Sequence, residues 1–290
     1  MKRTLSIASW FKVLFKVWFK ASPLVFALVL TATAPTAKAQ AQTITVAGTG
    51  SSMPLVQLLF TEYQKQAPEV SLHLIQPPLG TNGALKALRA KRVDVVIVGR
   101  PITPVELNQL GQHFDLAYTP FVMASSDGLR RGGFSLDELA KVYEGSLAFW
   151  DKGAPIRLII RGTFESDTLL LKEMSPRMAQ ATVAANKRPG MAGAVNDIET
   201  AKLIASTPGS LGPTTLGLLR TMGLNLKIFP INGAAPTISN LKSGRYPWHK
   251  KLSVVLQHTP DPAVAAFAKF LRSPRAQELM LQYDYIPIAQ

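Results

Sequence analysis

The chain has 290 residues, 47% hydrophobic and 17% charged, a balance that suits one large or two medium α/β domains with a sizeable core and argues against disorder. It contains no cysteine, which excludes disulfides, thiolate nucleophiles and cysteine-ligated zinc or iron–sulfur centres, and leaves no thiol to carry a lipid anchor. The formal charge of +14 is concentrated at the start: residues 1–39 hold six of the 32 Lys and Arg and none of the 18 Asp and Glu, so +8 remains beyond Ala39.

The first 39 residues read as a signal peptide. Lys2, Arg3, Lys12, Lys16 and Lys20 form a basic opening, residues 23–32 (PLVFALVLTA) an apolar stretch too short to span a bilayer, and Ala37-Lys38-Ala39 a small-x-small cleavage pattern. Cleavage there places the mature start at Gln40. Trp10, Phe11, Phe15, Trp18 and Phe19 among the lysines also fit an uncleaved amphipathic helix on a membrane surface. No basic run is interleaved with aromatics after Gln40, so nucleic acid is not expected as a partner, and the remaining positive charge suits a small anion.

Strand and helix patterns then alternate. Residues 43–47 (TITVA) read as a strand and 54–67 as a helix, with Leu55, Leu59 and Tyr63 on one stripe and Pro68 as its stop. Residues 70–75 alternate as a strand, 83–91 (GALKALRAK) repeat as a helix, and 93–98 (VDVVIV) form the nearly unbroken apolar run, interrupted at Asp94, of a strand buried on both faces. This order predicts a right-handed parallel unit. A second unit follows: a short strand at 121–124, a capping box at Ser135-Leu136-Asp137-Glu138 opening a helix, a strand at 155–160 and a helix at 167–174. Further helices are predicted at 196–206, 262–271 and 274–283, and no internal repeat is present.

In open α/β sheets ligands bind beyond the carboxyl ends of strands, where helices begin. Those loops hold Gly48-Thr49-Gly50-Ser51-Ser52-Met53-Pro54, Gly80-Thr81-Asn82-Gly83 and Gly99-Arg100-Pro101; in the second unit Arg161 ends a strand and Ser166-Asp167-Thr168 opens a helix. Ser or Thr at a helix start is more often only a cap. Backbone donors, helix dipoles, hydroxyls and two guanidinium forks converging at strand ends nevertheless point to an oxyanion. Competing motifs are incomplete. Gly48-x-Gly50-x-x-Met53 lacks the third glycine of a dinucleotide fingerprint, no G-K-[ST] follows, and His73, His113, His249 and His258 have no metal-ligand spacing. Residue types alone leave a Ser-His-Asp hydrolase open, but there is no G-x-S-x-G elbow.

Five segments, ITVAGTGSSMPLVQLLFTEYQKQAPEVSLHL, GTNGALKALRAKRVDVVIVGRPIT, FSLDELAKVYEGSLAFW, TPGSLGPTTL and FAKFLRSPRAQELMLQYDYIPI, resemble the periplasmic phosphate-binding proteins of ABC phosphate importers. The resemblance covers nearly the whole chain after Gln40. It implies an α/β, two-lobed type II periplasmic binding protein fold, each lobe a mostly parallel sheet flanked by helices, closing on its ligand by hinge bending. Lobe 1 would comprise residues 40–118 and 229–290 and lobe 2 residues 119–228, with crossovers near Tyr118-Thr119-Pro120 and 228–231. The implied role is a periplasmic monomer that captures phosphate or a related oxyanion for an inner-membrane ABC permease, without catalysis, metal or cofactor. The alternatives are the same fold serving another solute or a sensor, and a secreted phosphoester hydrolase.

By position, the resemblance implies ligand contacts from Ser52, Met53, Thr81 and Arg161; Ser51, Asn82, Arg100, Ser166, Asp167 and Thr168, in the same strand-end loops, complete the expected binding set. Two departures stand out. Gly99 falls where several members place an aspartate, and Glu165 and Asp167 replace two hydrogen-bonding residues of the second-lobe loop. Carboxylates facing a phosphate dianion would repel it unless protonated or turned away.

Overall fold

β1 (Gln42–Gly48), β2 (Val70–Leu74) and β3 (Val95–Val98) build the first parallel unit, with β1 paired to both neighbours. The computed structural model describes residues 42–127 and 132–288, so the signal peptide predicted at residues 1–39 lies outside the described residues; the chain from Gln40 onward forms one compact unit. All four β3 residues are buried, which is why that run lacks polar alternation. A 3-10 turn at Gly50–Ser52 leads into α1 (Met53–Tyr63), and α2 (Gly80–Arg89) connects β2 to β3. α3 (Pro104–Gln109) opens on a capping box between Thr103 and Glu106.

β4 (His113–Ser125) is the strand that joins the two halves. His113–Pro120 pairs with β9 (His249–Leu256), and Phe121 to Ala124 pairs with β7 (Ser210–Thr215). Only its second half was legible as a strand, for two reasons. A bulge between Asp115 and Ala117 breaks the alternation, and Pro120 reads as a strand breaker although it sits where the partner changes.

The second half contains α4 (Leu136–Glu144), β5 (Arg157–Arg161), α5 (Ser166–Glu173), α6 (Pro176–Lys187), β6 (Ala192–Ala194) and α7 (Asp197–Ser206). After β7 come α8 (Leu216–Thr221), β8 (Lys227–Phe229) and α9 (Ile238–Lys242); β9 is followed by α10 (Pro262–Leu271), α11 (Pro274–Gln282) and β10 (Ile286–Pro287). The predicted Ser135–Glu138 capping box is present. The strand order is β2-β1-β3-β9-β4-β7-β5-β6, with β8 and β10 on β4. Pairing is parallel in the wings (β1 with β2 and β3, β5 with β6 and β7) and antiparallel where β3, β9, β4 and β7 meet.

Each half has an apolar core on both faces of its sheet. In the first, Ile44, Val56, Phe60 and Phe267 pack on one face and Leu85, Leu88 and Val96 on the other. Ring centroids of Phe60, Tyr63, Phe267 and Phe270 lie 5.2–5.8 Å apart in tilted and edge-on pairs, the arrangement the ring quadrupole favours. In the second half Phe121, Tyr143, Trp150 and Phe229 face Val122, Ile159 and Ile204 across the sheet. Ile231, Ala234 and Tyr246 pack in that second core, and the Tyr246 hydroxyl donates to the Phe121 carbonyl at 2.6 Å. Pairing of β9 with the first-half portion of β4 begins at His249, opposite Pro120. Among the described residues no helix is long and apolar enough to cross a membrane.

Candidate functional site

The carboxyl ends of β1, β3 and β5 converge on a group of five charges, four of them buried and the fifth, Glu165, partly exposed. Arg161 is the last residue of β5 and Asp167 lies in the first turn of α5. Asp197 opens α7, and Glu165 is the residue before α5. Lys250 is the second residue of β9, paired in register with Thr119 of β4. Carboxylates in the first turns of α5 and α7 complement the positive ends of those helices.

Lys250 is the centre of the group. Its Nζ donates to Asp167 Oδ1 at 2.6 Å and to Asp197 Oδ1 at 2.5 Å. Arg161 Nη1 lies 3.1 Å from Asp197 Oδ1 and 3.3 Å from Asp167 Oδ2, while Nη2 donates to Glu165 Oε2 at 2.6 Å. Thr49 Oγ1, in the loop after β1, donates to Asp197 Oδ2 at 3.1 Å. The Lys250 and Arg161 side chains are 0% and 1% exposed and those of Asp167 and Asp197 1% and 3%, so each charge depends on its partners rather than on water.

The titration behaviour follows. Burial pushes both cations toward the neutral form, but the surrounding carboxylates outweigh it and raise both above their ordinary values. Asp197, with Lys250, Arg161 and Thr49 as donors, is the stronger acid of the pair: burial opposes its charge, and the two cations hold it below the carboxylate range. Burial wins at Asp167, whose carboxyl is raised despite Lys250, and at Glu165, which is raised despite Arg161. Two buried carboxylates and the partly exposed Glu165 thus face two buried cations.

Gly99 is a consequence of Lys250. A Cβ at Gly99 would lie 2.7 Å from Lys250 Cε and 3.1 Å from Thr49 Cγ2. The lysine fills the space that a side chain at this position would need, which accounts for the departure noted in the sequence. Because Lys250 is pinned at its far end by two carboxylates, it has little room to yield. Gly99→Ala is expected to cost about 1–3 kcal/mol through overpacking, measured by urea denaturation; an unchanged midpoint would show that the lysine stem moves aside freely.

The sequence-predicted residues divide into those that join this group and those that do not. Arg161 and Asp167 are in it, and Thr168 Oγ1 donates back to the Arg161 carbonyl at 3.3 Å. Ser166 is buried beside them. Ser51 Oγ is 3.2 Å from Thr49 Oγ1, whereas Ser52 Oγ donates to the Thr49 carbonyl at 2.9 Å. Thr81 Oγ1 accepts from the Gly99 amide at 3.0 Å and so ties α2 to the loop after β3. Met53 belongs to the first apolar core. Arg100 forks onto Glu106 at 2.7 and 2.9 Å and also donates to Asn82 Oδ1 at 2.6 Å, and it holds the Glu106 carboxyl down at about 2.

Lys250, Asp197 and Thr49 were not singled out from sequence. A signal for Lys250 exists: it shares the phase of Leu252, Val254 and Leu256 on an alternating strand, an apolar position that a lysine occupies only when paired.

The sequence model described as the PBP superfamily domain matches residues 33–275. The chain belongs to the PBP superfamily. Within that superfamily it is 30% identical over 107 residues to the phosphate-binding protein PstS 2 of Streptococcus pneumoniae, covering 37% of this chain and 36% of that protein. That match spans about a third of the relative's length. The phosphate-binding protein PstS of Borreliella burgdorferi is 23% identical over 256 residues, covering 84% of this chain and 89% of its own. Among solved structures, a phosphate ABC transporter substrate-binding protein with bound phosphate from Clostridium perfringens superposes with a TM-score of 0.72 at 14% identity, over 85% of this chain and all of that one. At that identity the superposition establishes the fold: a two-lobed PBP type II architecture.

Proposed function

We propose that this protein is a periplasmic solute-binding protein that clamps phosphate or a related oxyanion between its lobes and delivers it to an ABC permease. One observation carries the reading. Two buried cations, Arg161 from β5 and Lys250 from the strand that re-enters the first sheet, converge with the loop after β1 at the carboxyl ends of both sheets, where this class of fold binds its ligands. The names of the relatives support phosphate as the solute. Lobe 1 would run from Gln40 to about Tyr118 and resume at about His249. Export through a cleaved signal peptide ending at Ala39, and a monomeric state, belong to the same proposal, as do ligand contacts from the expected residues other than Asp167, whose carboxylate already engages Lys250 and Arg161.

A second reading, the same clamp serving another solute or a sensor, is favoured by the carboxylates that already engage both cations. Native mass spectrometry of protein purified without added anions separates the two. A retained phosphate-class oxyanion, reproduced by saturable heat when that anion is titrated, is the expected result. Retention of an organic solute, with no heat from phosphate, sulfate or molybdate, would overturn the first reading in favour of the second.

A further inference from the structure

In an anion-binding clamp the ligand supplies negative charge that both lobes share, and closure depends on it. In this protein that charge is already present. Asp197 and Asp167, both from the second half, meet Lys250 on β9, and Asp197 also accepts from Thr49 in the first half. A Cβ at Gly50 would lie 3.1 Å from Asp197 Oδ2, so this carboxylate sits against the backbone at the start of α1. Glu165 does the same at α2: a Cβ at Gly80 would lie 3.6 Å from Glu165 Oε2, and Gly80 has a φ of +66°, which opens the helix start without a side chain in the way. Carboxylates of the second half therefore stand at both first-half helix starts that face the cleft.

From this we infer that Asp167 and Asp197 act as a built-in counter-anion, holding the clamp closed with no ligand in it. The inference rests on reading this cleft as the ligand site. Its chemical content is competitive. An incoming oxyanion has to take Lys250 and Arg161 away from carboxylates that already satisfy them, so these two residues set the threshold a ligand must exceed. Free inorganic phosphate, a dianion near neutral pH, meets an excess of negative charge and is disfavoured relative to a site with amides in those places.

The test compares the parent with Asp167→Asn, Asp197→Asn and the double variant, using inorganic phosphate and sulfate as probes. Small-angle scattering without anions should show the parent compact and the variants expanded. Calorimetry should show phosphate binding roughly tenfold or more tighter in the variants, the scale of one charge-assisted contact. Phosphate should also raise the Tm of the variants more than that of the parent, a readout that survives marginal folding because linkage stabilises the tightest-binding form most. If the variants expand but neither anion binds or recloses them, the carboxylates still hold the clamp shut, and it is the oxyanion reading that fails. If the variants stay as compact as the parent, or if the parent compacts on binding phosphate as tightly as they do, the built-in counter-anion is overturned while the oxyanion reading stands.

Discussion

Lys250→Met should cost about 3–5 kcal/mol of folding stability near neutral pH, the penalty for breaking a buried ion pair by removing one partner. For a unit of this size that lowers Tm by roughly 6–20 °C. The methionine fills most of the lysine's volume, so the loss reports charge rather than a cavity. Lys250 is the shared donor between Asp167 and Asp197; without it two carboxylates face one another with Arg161 as their remaining cation. The loss should shrink in acid. Burial already raises the Asp167 carboxyl above its ordinary value despite Lys250, so the folded state binds that proton more tightly than the unfolded chain. Its cost to stability is therefore greatest above the folded pKa and fades as the pH falls toward the unfolded value. Removing the lysine enlarges this shift. Asp197, held low in the parent, loses the larger of its stabilising charges at the same time. Urea denaturation at neutral pH and at about pH 4.5 measures both effects. A deficit that is equal at the two pH values would contradict the account.

Arg161→Ala should affect stability and binding together. The resemblance to anion-binding proteins implies a ligand contact at an accessible cleft, where truncation would leave the fold unchanged. The side chain is instead 1% exposed, with Glu165, Asp167 and Asp197 around it. Its loss strands buried carboxylates, so Tm should fall on the scale expected for a broken buried pair. Binding of the retained oxyanion should weaken by about ten- to a hundredfold or more, the worth of a charge-assisted contact. Arg161→Lys separates the roles: it keeps a charge near Asp197 but loses the fork, so stability should recover further than affinity. Full affinity in Arg161→Ala would remove this residue from the ligand site, leaving it a purely structural ion pair.

Much of the architecture was written in local patterns. β1, α1, β2, α2 and β3 were legible because each carries its own period and punctuation, and the α4 capping box because it is a four-residue signal. β9 was not assigned, since nothing local says that residues 249–256 return to lie between β3 and β4. The charged site was half legible. Arg161, Glu165 and Asp167 stood out because they occur within seven consecutive residues, with the two acids where hydrogen-bonding residues were expected. Lys250 and Asp197 are 83 and 30 positions from Asp167, and only the folded chain shows that all three share one buried space. Which way the carboxylates point is likewise a property of packing: they turn onto the protein's own cations.

The place of β9 in the sheet also bears on the order in which the molecule can be assembled. β3 and β4 follow one another in the sequence but are not neighbours; the slot between them is filled by β9. The loop after β1 is fixed from further still, by the Tyr285 hydroxyl donating to the Ser51 carbonyl across 234 positions at 3.0 Å. A chain emerging N-terminus first makes the β1–β2–β3 unit early and then carries an unfilled gap in that sheet until almost its last residues arrive. Such long-range closures are slow, because loop entropy is lost before contacts repay it. The second half, whose elements from β5 to β8 are consecutive apart from β4, has no comparable wait. The half begun first is finished last.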